Sequence, residues 1–330
     1  MYDNHNRKIN YLRVSITDRC NLRCVYCMPK EGVSLLGHKD ILSYEELLRI
    51  VKLAVQTGIV KVRLTGGEPL VRRGIVDFIA TLKQVDGLKD ITLTTNGILL
   101  DHYAEDLFRA GIRRINVSLD SLDPEKYRSI TRIGDLAKVI RGIKKAESVG
   151  LSPIKINVVA IKGFNDDEIL DFAKLTQEKP YQIRFIEYMP IGDANLENGF
   201  QYLSNDTIKE IISDYMLLRP TDGPRGEADG PARLYTLEEA AGKIGFISAM
   251  SHHFCDSCNR LRLTADGHLR ACLLSDEEVD LKEPIRAGCS DATLEDLIKE
   301  AILKKPRGAN INCHETQRKK CVRNMSSIGG

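Results

Sequence analysis

Apolar and polar residues alternate one by one over residues 11–17, the period of a strand, and the chain runs from there directly into a group of cysteines. The period then lengthens. From Ser43, an N-cap with Glu46 three positions on, apolar residues recur at helical spacing to about residue 57, and Gly58 ends the pattern. Residues 60–64 return to strand character. The exchange repeats as helix 75–84, strand 91–95, helix 102–110, strand 114–119, helix 136–149, strand 153–161, helix 166–177 and strand 182–187. Strands separated by helices pair in parallel through right-handed crossovers. The pattern therefore predicts an α/β fold, a partial (β/α)6 barrel of the TIM type with its site at the C-terminal strand ends. A doubly wound sheet is the alternative, because periodicity does not fix strand order. Beyond residue 190 the alternation stops, and residues 221–231 are rich in Gly, Pro and Asp, as an exposed loop is. We expect a barrel over 1–190 and a C-terminal extension over 191–330 that binds a second metal group and substrate.

The first cysteines, Cys20-x3-Cys24-x2-Cys27, stand before Met28-Pro29. Such spacing also lines one helix face, but Pro29 stops a helix there and Asp18, Arg19, Asn21 and Arg23 interrupt the segment with polar groups. Three thiolates hold three irons of a [4Fe–4S] cluster and leave the fourth open to a ligand. A second group, Cys255, Cys258 and Cys272, has a Cys-x2-Cys knuckle and a third thiol further on. Structural zinc is one reading, with His252, His253, Cys289 or Cys313 as fourth ligand. A second iron–sulfur cluster is the expectation, because the first loop already implies iron–sulfur loading. His252 and His253 are then packing or polar surface.

Other residues gather at the predicted strand ends. Gly66-Gly67 permits close approach by a bound amino-acid group, and Glu68 can accept from its ammonium, although a glycine pair is often only a turn. Thr94-Thr-Asn-Gly97, Ser118-Leu-Asp120, Asn157 and Met189-Pro190 fall at or near the ends of later strands. Arg260 and Arg262 lie two apart on a strand leaving the second knuckle, a pairing suited to a triphosphate between the two clusters; a solvated strand face is the plainer alternative.

Composition narrows the class. In 330 residues, 42% are hydrophobic, enough for a large core, and 48 basic against 46 acidic residues leave a net +2, which argues against a bulk nucleic-acid or anionic-membrane binder. No apolar run approaches the roughly 18 residues of a membrane helix, and the polar start lacks a secretory core, so a cytoplasmic protein is expected. Nine cysteines are few for the length and odd in number, and six sit at metal-like spacings. Cys289, Cys313 and Cys321 have no assigned role. The basic run Arg318, Lys319 and Lys320 reads as a solvated face.

The first loop, with Tyr26 before its last cysteine, resembles that of the radical S-adenosylmethionine enzymes, and Gly-Gly-Glu-Pro69 resembles their methionyl-amine motif. With Phe254-Cys-Asp-Ser-Cys-Asn-Arg-Leu-Arg-Leu-Thr-Ala-Asp-Gly267 and the terminal Met325-Ser-Ser-Ile-Gly-Gly330, the match from about Arg13 onward resembles the GTP 3′,8-cyclase family of molybdenum cofactor biosynthesis. The segment 289–321 fits less closely. The resemblance implies two [4Fe–4S] clusters, one on Cys20, Cys24 and Cys27 and one on Cys255, Cys258 and Cys272, the second touching guanine. It implies S-adenosylmethionine against Tyr26, Gly67, Ser118 and Met189. It implies GTP against Arg13, Arg63, Thr94, Lys155, Arg260 and Arg262, with Lys61 a weaker candidate. Gly329 and Gly330 would enter the active site as a catalytic tail. The implied reaction moves hydrogen from ribose C3′ to an adenosyl radical, closes a bond to guanine C8 and ends with one electron and a proton. Implied partners are a second copy in a homodimer, an electron donor such as a flavodoxin or ferredoxin, and a downstream cyclic pyranopterin monophosphate synthase.

Two rivals differ in testable ways. Another radical enzyme with an auxiliary cluster, such as a peptide-maturing one, would not bind GTP. A zinc-knuckle nucleic-acid module using Arg260, Arg262, Arg318 and Lys319 would hold colourless zinc, and the near-neutral charge and lack of Trp weigh against it.

Overall fold

The computed structural model describes residues 1–330 except 190, 192–199, 222–225, 227–229, 309–322, 324 and 330. Pro190, Cys313, Cys321, the run 318–320, most of the loop 221–231 and Gly330 therefore lie outside the described residues.

The alternation seen in the sequence is realised as β1 (Tyr11–Ser15), α1 (Tyr44–Gln56), β2 (Lys61–Thr65), α2 (Ile75–Leu82), β3 (Asp90–Thr95), α3 (Leu100–Arg109), β4 (Ile115–Ser118), α4 (Pro124–Thr131), α5 (Leu136–Ser148), β5 (Ile154–Lys162), α6 (Ile169–Glu178) and β6 (Gln182–Glu187). Ser43 begins α1 with a reciprocal cap. Its side chain accepts from Glu46 N at 3.2 Å, and Glu46 Oε2 accepts from Ser43 N at 2.7 Å, a device worth about 1 kcal/mol. Helix α4 is absent from the sequence reading, although its start was legible. Asp123 caps it by accepting from Glu125 N at 2.8 Å and Lys126 N at 2.9 Å, and Pro124 occupies the first turn.

β1 to β6 lie side by side in chain order, each pair parallel. Such an order excludes the doubly wound alternative, in which strand order reverses partway. The later chain supplies β7 (Gln201–Tyr202), α7 (Asn205–Ser213), β8 (Leu218–Pro220), β9 (Arg233–Leu237), β10 (Lys243–Ile247), β11 (Arg260–Leu263), β12 (His268–Arg270), β13 (Glu278–Asp280), α8 (Lys282–Arg286), α9 (Asp291–Leu303) and α10 (Met325–Ile328). β10 adds in parallel to β6 and β11 in parallel to β1, so later segments extend both edges of the same sheet. Antiparallel β9–β8 and β12–β13 continue outward. Among the described residues the strand path runs from β13 to β8 without closing, a partial barrel.

The polar positions of the strands are buried too. Leu12, Val62 and Leu261 share a register on the helix-covered side and sit in the main apolar core. Their neighbours one residue on, Arg13, Arg63 and Arg262, share the next register and turn to the other side. Strand alternation thus separates an apolar layer under the helices from a cationic barrel interior.

Candidate functional site

The barrel interior holds a cavity of about 330 Å³, and all six cysteines of the two predicted groups line it. Residues 20–28 form no helix, so the loop reading of the first group stands. This loop is fastened at several points. Arg23 N donates to Thr131 O at 3.1 Å and Val25 N to Ile130 O at 2.9 Å, while Arg132 Nη1 donates to Arg23 O at 3.0 Å and Met28 O at 2.9 Å. Asn96 Nδ2 reaches Asn21 Oδ1 at 2.7 Å and Cys20 Sγ at 3.9 Å. Burial pushes the Cys20 thiol up to about 11 and Cys24 well above the usual thiol value. Such buried thiols favour the neutral state, which a bound metal ion would reverse.

In the second group, Cys258 shifts the other way. Burial works to raise Cys258, but Arg260 and then Lys305 outweigh it and bring the thiol down to about 6. Arg260 lies over the Phe254 ring at 4.9 Å as well as beside Cys258. His253 lines the cavity, whereas His252 pairs with Asp206 at 2.6 Å on the exposed side, as expected of a surface residue. Among the described residues, no three His, Cys, Asp or Glu side chains converge on a single metal ion. A [4Fe–4S] cubane takes one thiolate per iron, so three cysteines leave its fourth iron open.

Gly67 meets a backbone demand in addition to the ligand approach expected of it. A Cβ there would lie 2.4 Å from Arg19 O and 2.8 Å from Asp18 O, and at Gly66, with φ +151°, it would lie 2.5 Å from Thr17 O. These glycines permit close approach of the cysteine loop's own backbone, and both also line the cavity. Glu68 likewise serves its own chain. Its Oε1 accepts from Thr95 Oγ1 at 2.7 Å and Leu70 N at 3.1 Å, and its Oε2 from Asn96 N at 2.7 Å. Burial still pushes this carboxyl up to about 7.

The other expected residues divide. Tyr26, Ser118, Met189, Arg13, Arg63, Thr94, Arg260 and Arg262 all line the cavity. Lys61 and Lys155 are not among its walls. Lys61 pairs with Asp90 at 3.2 Å, and Lys155 sits in register with Asn116 and Gln182, where burial and then Arg184 bring it down to about 6. Tyr26 donates from its hydroxyl to Asp120 Oδ2 at 2.6 Å, and Asp120 Oδ1 accepts from Val159 N at 2.8 Å, which fixes the ring against the end of β4. Gly329 accepts from Arg262 Nη1 at 2.7 Å, and Ile328 and Met325 pack with Met189 and Ile191.

Arg184 and Tyr11 line the cavity and escaped the sequence reading. Arg184 is on β6 in register with Asn157, and Tyr11 carries Lys61 at 4.9 Å and Arg63 at 5.5 Å from its ring centre. The available signal was parallel register: once six strands align, every second polar residue points inward. Among the described residues, five arginines then face the cavity against two carboxylates, Glu68 and Asp120, the latter raised by burial to about 6. The buried Tyr11 OH, Thr94 Oγ1 and Asn157 Oδ1 of its walls have no hydrogen-bond partner among the described residues. Excess positive charge and unmatched polar atoms suit a large, polar, anionic ligand.

Residues 14–176 match the Radical SAM superfamily, and residues 181–311 match Molybdenum Cofactor Synthesis C. The GTP 3′,8-cyclase of Thermodesulfovibrio yellowstonii is 51% identical over 332 residues, and that of Petrotoga mobilis 50% over 330, each alignment covering 100% of both chains. Among solved structures, Streptococcus suis SuiB bound to S-adenosylmethionine aligns with a TM-score of 0.57 at 15% identity. That alignment covers 84% of this chain and 64% of SuiB, and it speaks for the fold alone. Full-length identity near one half, together with the two cysteine groups on one cationic cavity, places the chain in the GTP 3′,8-cyclase family of the radical S-adenosylmethionine superfamily.

Proposed function

We propose that the chain is a lyase that cyclises GTP to (8S)-3′,8-cyclo-7,8-dihydroguanosine 5′-triphosphate with S-adenosylmethionine, the first step of molybdenum cofactor biosynthesis. The observation that carries this reading is the convergence of both cysteine groups and five arginines on one cavity. Superfamily membership brings S-adenosylmethionine and an iron–sulfur cluster with it. We extend this to two [4Fe–4S] clusters, on Cys20, Cys24 and Cys27 and on Cys255, Cys258 and Cys272. When bound, the first cluster and S-adenosylmethionine supply the adenosyl radical that takes hydrogen from ribose C3′.

The chain's own residues hold the reactants. Tyr26, fixed by Asp120, with Gly67, Ser118 and Met189 forms the S-adenosylmethionine side of the cavity. Arg13, Arg63, Arg184, Arg260 and Arg262 supply fixed donors for the triphosphate, with Thr94 and Lys155 beside them. Guanine then lies toward the second cysteine group. The tail at Gly329 closes the site and excludes water from the ribose.

We keep the division at residue 190 as a proposal; the two family matches meet earlier, between 176 and 181. No helix of the described residues is long and apolar enough to cross a membrane. We propose a cytoplasmic homodimer that takes electrons from a flavodoxin or ferredoxin and yields its product to a cyclic pyranopterin monophosphate synthase. Anaerobically reconstituted protein, given GTP, S-adenosylmethionine and a reductant, is expected to form the cyclised nucleotide, detected by mass spectrometry after chromatography. Reductive cleavage of S-adenosylmethionine with GTP left intact would point instead to a different radical enzyme.

A further inference from the structure

Two buried cations, distant in sequence, brace the second cysteine group from behind. Arg7 is 6% exposed and Lys305 3%. Lys305 Nζ donates to Arg260 O at 2.8 Å and to Ala271 O. Arg260 comes two residues after Cys258, and Ala271 immediately precedes Cys272. Arg7 Nη1 donates to the carbonyl of Cys255 itself at 2.9 Å. Each of the three cysteine stretches is thus fastened by a cation.

The two cations are also joined to each other. Arg7 Nη2 donates to Pro306 O at 2.7 Å and Lys305 O at 3.3 Å, its Nη1 to Arg307 O at 3.0 Å, and its Nε to Asp3 Oδ2 at 2.6 Å. Asp3 balances Arg7. Lys305 bonds two neutral carbonyls, and a buried ammonium needs an anion close by to remain charged. Burial lowers Lys305, and the charges of Cys258 and Cys272 act to hold it up.

We propose that Lys305, set in place by Arg7, is a positioning residue for the second iron–sulfur cluster and its countercharge, favouring the reduced state of that cluster. This rests on the reading that Cys255, Cys258 and Cys272 hold a cluster. The physical cause is that a fixed positive charge lowers the free energy of the form with one more electron, and net charge and hydrogen bonding around a cluster set its potential.

The test is a redox titration of anaerobically reconstituted full-length protein, followed by electron paramagnetic resonance, with iron counted on the same samples. Lys305→Met is expected to shift the oxidised-to-reduced ratio of the second cluster about tenfold or more toward oxidised at a given potential. That equals a midpoint lowered by about 59 mV for one electron. The first cluster should keep its potential. Lys305→Gln, which keeps an N–H donor and drops the charge, should show the same shift. Loss of the second cluster's irons from both variants, with the first cluster and the melting temperature retained, also supports the proposal. A full iron complement with an unshifted second potential in either variant overturns it. About four irons in the wild type after reconstitution would instead remove the second-cluster reading itself.

Discussion

Arg262 donates from Nη1 to the carbonyl of Gly329 at 2.7 Å, joining residues 67 positions apart in the barrel interior. The guanidinium assigned to the triphosphate therefore also seats the C-terminal tail. Gly329 adopts φ +73°, and a Cβ there would lie 2.5 Å from Thr65 Oγ1 and 3.1 Å from Ser15 Cβ. Only glycine fits that backbone without strain.

Gly329→Val, or a chain ending at Ile328, is expected to leave iron content and melting temperature near wild type and to lower product formation about a hundredfold, the scale of a small misplacement of reacting groups. An anaerobic product assay at saturating GTP checks this. A wild-type rate in both variants would make the tail an ordinary frayed end.

The two cysteine groups should separate by function. Cys24→Ala is expected to abolish reductive cleavage of S-adenosylmethionine. Cys258→Ala should keep uncoupled cleavage and lose GTP cyclisation. Counting 5′-deoxyadenosine and cyclised product side by side distinguishes them, and cyclisation surviving in Cys258→Ala would contradict the second assignment.

Arg184, found through β-register with Asn157, should behave like the arginines legible in the sequence. Arg184→Ala, Arg260→Ala and Arg262→Ala are each expected to weaken GTP binding by about 1.5–3 kcal/mol and guanosine binding far less, because charge-assisted contacts to phosphate are what they remove. Calorimetry with both ligands tests it; equal losses would move these residues away from the triphosphate.

GTP binding is expected to depend on pH through Lys155. In the ligand-free fold burial and then Arg184 bring it down to about 6 from 10.5. Between those values the unfolded chain binds more protons than the folded one, so this lysine's destabilisation of the ligand-free protein fades as pH rises. Lys155 is not itself a cavity wall, but a triphosphate held by Arg63 and Arg184, whose charges act on it, is expected to restore the proton. GTP binding near neutral pH should therefore take up a proton and weaken as pH rises. The calorimetric enthalpy should vary with the ionisation enthalpy of the buffer, and Lys155→Met should remove that variation. Buffer-independent enthalpy in the wild type would place the lysine outside the anion site.

Gly67→Ala should affect the metal before the substrate. Its new methyl would press on Arg19 O at 2.4 Å, at the entry to the first cysteine loop. We expect iron to fall from about eight to about four per chain after reconstitution. Full iron with only S-adenosylmethionine binding weakened would show that the ligand side of that glycine outweighs its packing against the loop.

The sequence made the barrel legible because hydrophobic periodicity is set locally by one buried strand face and one buried helix face. It missed α4, whose Asp123-Pro124 start was visible but whose apolar stripe is short. It also missed that β10 and β11 extend the sheet at both edges, since pairing partners more than 60 residues away leave no local pattern. The cysteines were legible from spacing alone. Arg184 was not, because an arginine on a strand reads as solvent-facing until the register shows what surrounds it. Lys305 and Arg7 were invisible for the same reason, as both act on carbonyls whose position only the fold supplies. Glu68 was seen as a cavity acceptor, but its bonds to Thr95, Asn96 and Leu70, which tie the loop ends together, left no signal in the sequence.

The central claim is that one cavity brings the ribose of GTP to the radical formed at the first cysteine loop. GTP deuterated at ribose C3′, incubated anaerobically with reconstituted protein, S-adenosylmethionine and reductant, tests it most directly. The account predicts 5′-deoxyadenosine carrying one deuterium, formed in step with a cyclised nucleotide that has lost it. Undeuterated 5′-deoxyadenosine, with the labelled GTP recovered unchanged, would contradict it.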